Sequence, residues 1–216
     1  MGPPVQYRQA ANLRPPRLRR GGLSLRTGDV VDRARIAEAV RQMIDAIGED
    51  PQREGLAETP RRIADMYADL FSGLDRDPLE VLRSGFREEE DGPVILRDIP
   101  FYSLCEHHFL PFYGVAHVGY IPNGRLVGIS KIARALDILA RRPQLQERLT
   151  RQLADCILEG LDADGVGVVL EAEHLCLSMR GAHKPGARVV TSAVRGPFGK
   201  GAFARAEFLA LVQGRG

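Results

Sequence analysis

The sequence predicts an α+β fold: an antiparallel β-β-α-α-β-β sheet with helices on one face, preceded by N-terminal helices. Three observations predict it. Apolar runs rich in Val, Ile, Tyr and Phe fall into two pairs, 94–102 with 112–121 and 166–179 with 188–194, and such runs read as strands. Two segments with helical apolar spacing lie between the pairs, and two more precede them. Hairpins flanking a pair of helices are the pattern of a sheet with helices segregated to one face.

Taken in order, residues 1–28 read as a flexible basic arm. They carry Arg8, Arg14, Arg17, Arg19, Arg20 and Arg26 and no acid, and they lack helical periodicity. Residues 29–90 read as a helical region. The first helix is expected over 30–47, with Val31, Ile36, Val40, Met43, Ile44 and Ile47 near helical spacing and Gly48 ending the run. Thr59-Pro60 signals a second helix, since Thr can cap free N–H groups and Pro suits the first turn. Its stripe is Ile63, Met66, Tyr67, Leu70 and Phe71, closed by Gly73. A short helical piece is expected at 78–82.

Residues 91–216 read as the main domain. After the first strand pair, Ser130 reads as a helix cap ahead of Ile132, Leu136, Leu139 and Ala140, and Pro143 ends that helix. A long helix is expected over 144–161, with Leu145, Leu149, Leu153, Cys156, Ile157 and Leu161 on one face. A closing helix is expected over 202–213. A four-stranded sheet has two open edges, and an open edge invites pairing with another subunit.

Composition excludes several classes. With 216 residues, 44% hydrophobic and 27% charged, the chain is an ordinary globular sequence. No apolar run approaches the roughly 18–20 residues of a membrane span, and the basic start lacks the apolar core of a secretory signal. The expected location is the cytoplasm. Net charge is only +2. The arm offers one aromatic residue, Tyr7, so nucleic-acid binding is not expected. Three cysteines, Cys105, Cys156 and Cys176, argue against a disulfide framework. Cys156 lies on the apolar helix stripe and reads as core.

The densest chemical segment is Cys105-Glu106-His107-His108. Thiolate and imidazole three residues apart can share one metal and together favour zinc. A third soft ligand is available at Cys176, in the similar neighbourhood Glu173-His174-Leu175-Cys176. Three protein ligands would leave the fourth position open, as catalytic zinc sites do. A fourth ligand from His107 or His174 would instead close the site as a structural one.

Several residues could hold an anionic substrate. Gly128-Ile129-Ser130-Lys131 precedes a helix, with Arg134 one turn later, and a helix N-terminus favours phosphate. Arg180 follows Cys176 by four residues. Glu147, off the apolar stripe, has a carboxylate that can accept from the N1–H and exocyclic amine of a guanine. Read alone, it is better taken as a first-turn Glu favoured by the helix dipole.

Together these segments resemble the type I GTP cyclohydrolase family. The matching pieces are Cys105-Glu106-His107-His108, Gly128-Ile129-Ser130-Lys131, the run from Arg142 to Thr150, and His174-Leu175-Cys176 with Arg180-Gly181. The resemblance implies the tunnelling fold, in which sheets pair across subunits, and a homodecamer of two pentamers with active sites at subunit boundaries. It implies conversion of GTP and water to formate and 7,8-dihydroneopterin triphosphate. It also implies roles: Cys105, His108 and Cys176 as zinc ligands; His174, His107 and Ser130 as catalytic groups; Gln146 and Glu147 on the guanine; Lys131, Arg134, Arg180 and Arg62 on the triphosphate. One departure stands out. Where some members carry a second base three residues after Arg62, this chain has Asp65, which is expected to face away from phosphate.

Overall fold

The computed structural model describes residues 30–88, 92–196 and, near the C-terminus, 208, 210 and 212. The basic arm lies outside the described residues. So does most of the closing helix, although 208, 210 and 212 are helical.

Two helices open the described chain, α1 (Arg33–Ala46) and α2 (Thr59–Leu70). The Asp32 carboxylate caps α1 by accepting from the Arg35 N–H at 3.0 Å. Helix α1 packs mainly on α2. Only Val40 and Ile44 of its expected stripe are buried, while Met43 and Ile47 are 66% and 76% exposed. A single neighbour covers only part of a helical stripe, so the rest faces outward. Next come α3 (Pro78–Leu82) and β1 (Phe86–Arg87). Strand β1 forms a small ribbon with β4 (Arg125–Leu126).

The main sheet contains β2 (Val94–Cys105), β3 (Pro111–Ile121), β5 (Pro143–Gln144), β6 (Gly165–His174) and β7 (Arg188–Arg195), in the order β5-β2-β3-β6-β7. The four long strands are antiparallel, whereas β5 runs parallel to β2. Helices α4 (Ile129–Ala140) and α5 (Gln146–Leu161) pack on one face. Ile132, Leu136 and Leu139 from α4 and Leu149, Leu153 and Ile157 from α5 meet Phe112, Ala116, Val118, Tyr120, Val168 and Leu170 of the sheet. Alternation along a strand puts Tyr102 and Val190 on the opposite face, 70% and 62% exposed. Phe208 and Val212 cover one part of that face, over Val169.

Two local features shape the sheet. The β2–β3 register shifts between Leu96 and Ile99, where Asp98 takes a φ of 56°. This is a bulge, and the freed Asp98 N–H donates to His117 Nδ1 at 3.2 Å. Between β3 and β6, Gly114 lets the backbones approach closely: a Cβ there would lie 1.9 Å from the Glu171 carbonyl oxygen.

The expected β-β-α-α-β-β order holds, with corrections at the element ends. The 166–179 run divides: β6 stops at His174, and Leu175–Ser178 form a short helix, α6. The Ser178 hydroxyl donates to the His174 carbonyl at 3.0 Å and holds that turn. Ser130 is inside α4 rather than its cap; the N-cap is Gly128, whose carbonyl accepts from Lys131 N–H at 2.8 Å. Thr59 is likewise inside α2, because its N–H already donates to the Leu56 carbonyl at 2.9 Å. Helix α5 begins at Gln146, since Pro143 and Gln144 are taken into the sheet as β5.

Candidate metal centre and substrate site

Sheet register brings the chemical residues to one end. Phe112 stands opposite Ser103 on β2 and opposite His174 on β6. Cys105 and Cys176 each lie two residues beyond those partners, so β2 and the short helix α6 that follows β6 deliver their cysteines to the same place across β3. The Cys105–Leu110 turn closes through Phe109 N–H to the Cys105 carbonyl at 2.8 Å and Cys105 N–H to the Leu110 carbonyl at 2.9 Å. Phe109, with a φ of 52°, reverses the chain and packs edge-on against Phe71 of α2, centroids 5.6 Å apart.

The turn points His108 back at Cys105, with Nδ1 4.0 Å from Sγ. The donor atoms of Cys105, His108 and Cys176 all lie within 4.8 Å of one another. Two thiols and an imidazole at this spacing are a donor set for a soft or borderline divalent metal such as zinc. Burial, and then the neighbouring Cys105, push the Cys176 thiol up, against a smaller opposing pull from Arg180. A cation among the donors would relieve this by favouring both thiolates.

His174 sits beside the cysteines. Its ring stacks on Phe112 at 4.6 Å and 6°. Its Nε2 lies 2.7 Å from Gln146 Oε1. Gln146 is buried, and its amide nitrogen donates to Leu170 O, Val189 O and Thr191 Oγ1 at 3.1, 2.9 and 3.2 Å. The Gln146 oxygen is therefore an acceptor, which puts the His174 proton on Nε2 and leaves Nδ1 as the basic nitrogen. Burial lowers the His174 pKa, while the Glu147 charge partly opposes it. Glu147 is exposed in the first turn of α5. His107 is exposed on the turn, its ring 6.3 Å from that of His108.

The remaining predicted residues lie elsewhere in the chain. The C-terminal end of α4 meets the metal end of the sheet, where the Ala140 carbonyl accepts from Ser103 Oγ at 2.7 Å. Ser130, Lys131 and Arg134 belong to its N-terminal half. At about 1.5 Å per residue, Ser130 is roughly 15 Å back along the helix axis. Arg62 is exposed on α2. Asp65 pairs with Arg61 at 3.0 Å and Arg33 at 3.6 Å. Two relationships were not readable in sequence. Gln146 braces His174 instead of presenting a free amide, and Glu106 is gripped by Arg148 of α5 through two hydrogen bonds of 2.5 and 3.0 Å.

Among the described residues no helix is long and apolar enough to cross a membrane. Comparison with known proteins points to one family. The sequence model of the family described as GTP cyclohydrolase I matches residues 36–213. A GTP cyclohydrolase 1 of Dehalococcoides mccartyi is 61% identical over 184 residues, covering 84% of this chain and 97% of its own. Those of Geobacillus kaustophilus and Carboxydothermus hydrogenoformans are 56% and 55% identical, covering 83% and 85% of this chain and 96% of their own. Among solved structures, the archaeosine synthase QueF-Like in its apo form aligns with 50% of this chain and 97% of its own, with 21% identity and a TM-score of 0.40, too low to bear on the fold. Similarity of this extent over nearly the whole length of the relatives leaves one assignment: the chain belongs to the GTP cyclohydrolase I family.

Proposed function

We propose that this chain converts GTP to formate and 7,8-dihydroneopterin triphosphate, using zinc held by Cys105, His108 and Cys176. The observation that carries the reading is the approach of those three donors to within 4.8 Å, next to an acid–base histidine and an exposed carboxylate. Zinc bound there supplies a Lewis acid and an activated water for attack on C8 of the purine.

The other steps fall to the chain's own groups. His174, kept neutral by burial, gains and returns a proton at Nδ1 as the imidazole ring opens. Glu147 accepts from the guanine N1–H and amine. Gln146, expected on the base, is better suited to holding His174 in one tautomer, since its amide is already engaged. His107 serves the later ribose steps with Ser130. Lys131, Arg134, Arg180 and Arg62 neutralise the triphosphate.

The distance between the metal end of the sheet and the start of α4 supports sites completed by a second copy. The proposal therefore includes a homo-oligomer of the tunnelling-fold type, a decamer of two pentamers, in the cytoplasm.

The test is to incubate zinc-loaded protein with GTP and assay formate and the dihydropterin. Both products are expected, and both should vanish, together with bound zinc, in Cys176→Ala. His107→Ala and His174→Ala should keep zinc and lose turnover. Formate without the pterin in the wild type would confine the chain to ring opening; no formate would overturn the proposal.

A further inference from the structure

Arg148 follows Glu147 by one residue in the first turn of α5, yet its guanidinium is directed at Glu106. Its two terminal nitrogens reach the two carboxylate oxygens of Glu106 at 2.5 and 3.0 Å. This fork-to-fork pairing fixes orientation as well as distance. The side chains are 35% and 29% exposed, so water reaches the pair only partly.

Glu106 stands between Cys105 and His107, in the turn that also carries His108. Its own N–H donates to the Gln144 carbonyl at 3.0 Å. Backbone and side chain thus tie this residue in different directions, one to β5 and one to α5. His107 and His108 are exposed, so packing around their rings does little to fix them. Their placement depends on the turn. The Glu106–Arg148 pair is a direct side-chain link from that turn to the helix that bears Glu147.

We propose that Arg148 is a positioning residue: through Glu106 it locks the metal-binding turn to the first turn of α5 and sets the span between the metal donors and Glu147. The inference rests on the proposed function for what that span must match, a purine held at one end and attacked at the other. A bidentate guanidinium is needed, because an ammonium can engage the carboxylate only as a point charge. With its terminal nitrogens committed to Glu106, Arg148 is not a phosphate contact.

The experiment compares wild type, Arg148→Met, Arg148→Lys, Glu106→Gln and the Arg148→Met/Glu106→Gln double variant as full-length protein. Two properties are read: the absorption spectrum of the cobalt-substituted protein, and kcat and KM with GTP. Arg148→Met and Glu106→Gln are expected to bind one cobalt per chain with displaced d–d bands. Their kcat should fall on the order of 10–100-fold, as for other residues that orient metal ligands, while KM stays within about threefold. Arg148→Lys should recover part of both losses. The double variant should be no worse than the more damaged single one, as expected of residues acting as a unit. A wild-type spectrum with wild-type kcat overturns the proposal. So does a raised KM with intact kcat, which would make Arg148 a direct substrate contact. If Arg148→Met fails to fold, the lysine variant decides alone: full wild-type behaviour there removes the need for a fork. If wild type fails to act on GTP, the proposed function falls, but the cobalt spectra still judge the lock.

Discussion

Gln146 gives its amide nitrogen to Leu170, Val189 and Thr191 and its oxygen to His174. In sequence it is simply the neighbour of Glu147; its partners are 24 to 45 positions away, on two strands. Gln146→Ala would leave buried carbonyls without that donor and release the imidazole. The expected result is a loss of ~1–3 kcal/mol in denaturant unfolding, with kcat falling more than GTP affinity. The cysteines divide by environment. Burial pushes the Cys156 thiol up to about 12, which leaves almost no thiolate near neutral pH. Alkylation of metal-free native protein, read by peptide mass mapping, should therefore label the partly exposed Cys176 and spare the buried Cys156 until the chain is denatured. The gathering of Cys105, His108 and Cys176 was legible because soft candidate ligands occur rarely and at tell-tale spacing. The Glu106–Arg148 lock was not, because an Arg and a Glu 42 positions apart carry no mark of contact.

At the scale of elements, the apolar stripes of α4 and α5 were readable from their helical period, and the four long strands from their runs of Val, Ile, Tyr and Phe. What escaped was short or depended on tertiary partners. Strand β5 has two residues and exists only through its pairing with Leu104 and Cys105. The end of β6 merges in sequence with α6, since Leu175 and Leu177 continue the apolar run. Helix junctions also rest on unseen backbone fits. Gly73 N–H donates to the Arg141 carbonyl at 3.1 Å, and a Cβ at Gly73 would stand 2.0 Å from the Ile138 carbonyl oxygen. Gly73→Ala should separate α2 from the end of α4 at a cost of about 1–3 kcal/mol. By comparison, Leu153→Ala, in the centre of α5 and fully buried, should cost about 2–5 kcal/mol. Chemical denaturation of both variants checks the ordering.

At the scale of the molecule, the face of the sheet opposite α4 and α5 holds a buried histidine. Burial lowers the His117 pKa; Asp98 opposes that shift, Arg97 adds to it and Glu171 weakly opposes it. A folded value below the unfolded one, about 6.5, means that the unfolded chain takes up protons first as the pH falls. This contribution to stability is complete above about pH 6.5 and is lost progressively as pH drops toward the lowered folded value. Urea midpoints measured at about pH 7.5 and 5.5 should fall on acidification, and His117→Gln should reduce the drop.

The closeness of β3 and β6 at Gly114 bears on how mutational surveys of this chain would be read. Any side chain at 114 meets neighbouring backbone, which has no rotamer to move aside. Substitutions there would be rejected as uniformly as at Cys105 or Cys176, although Gly114 has no side chain to offer a metal or a nucleotide. Intolerance would group the three positions together. Only the kind of failure separates them: missing folded protein at Gly114, and folded but inert protein at the cysteines.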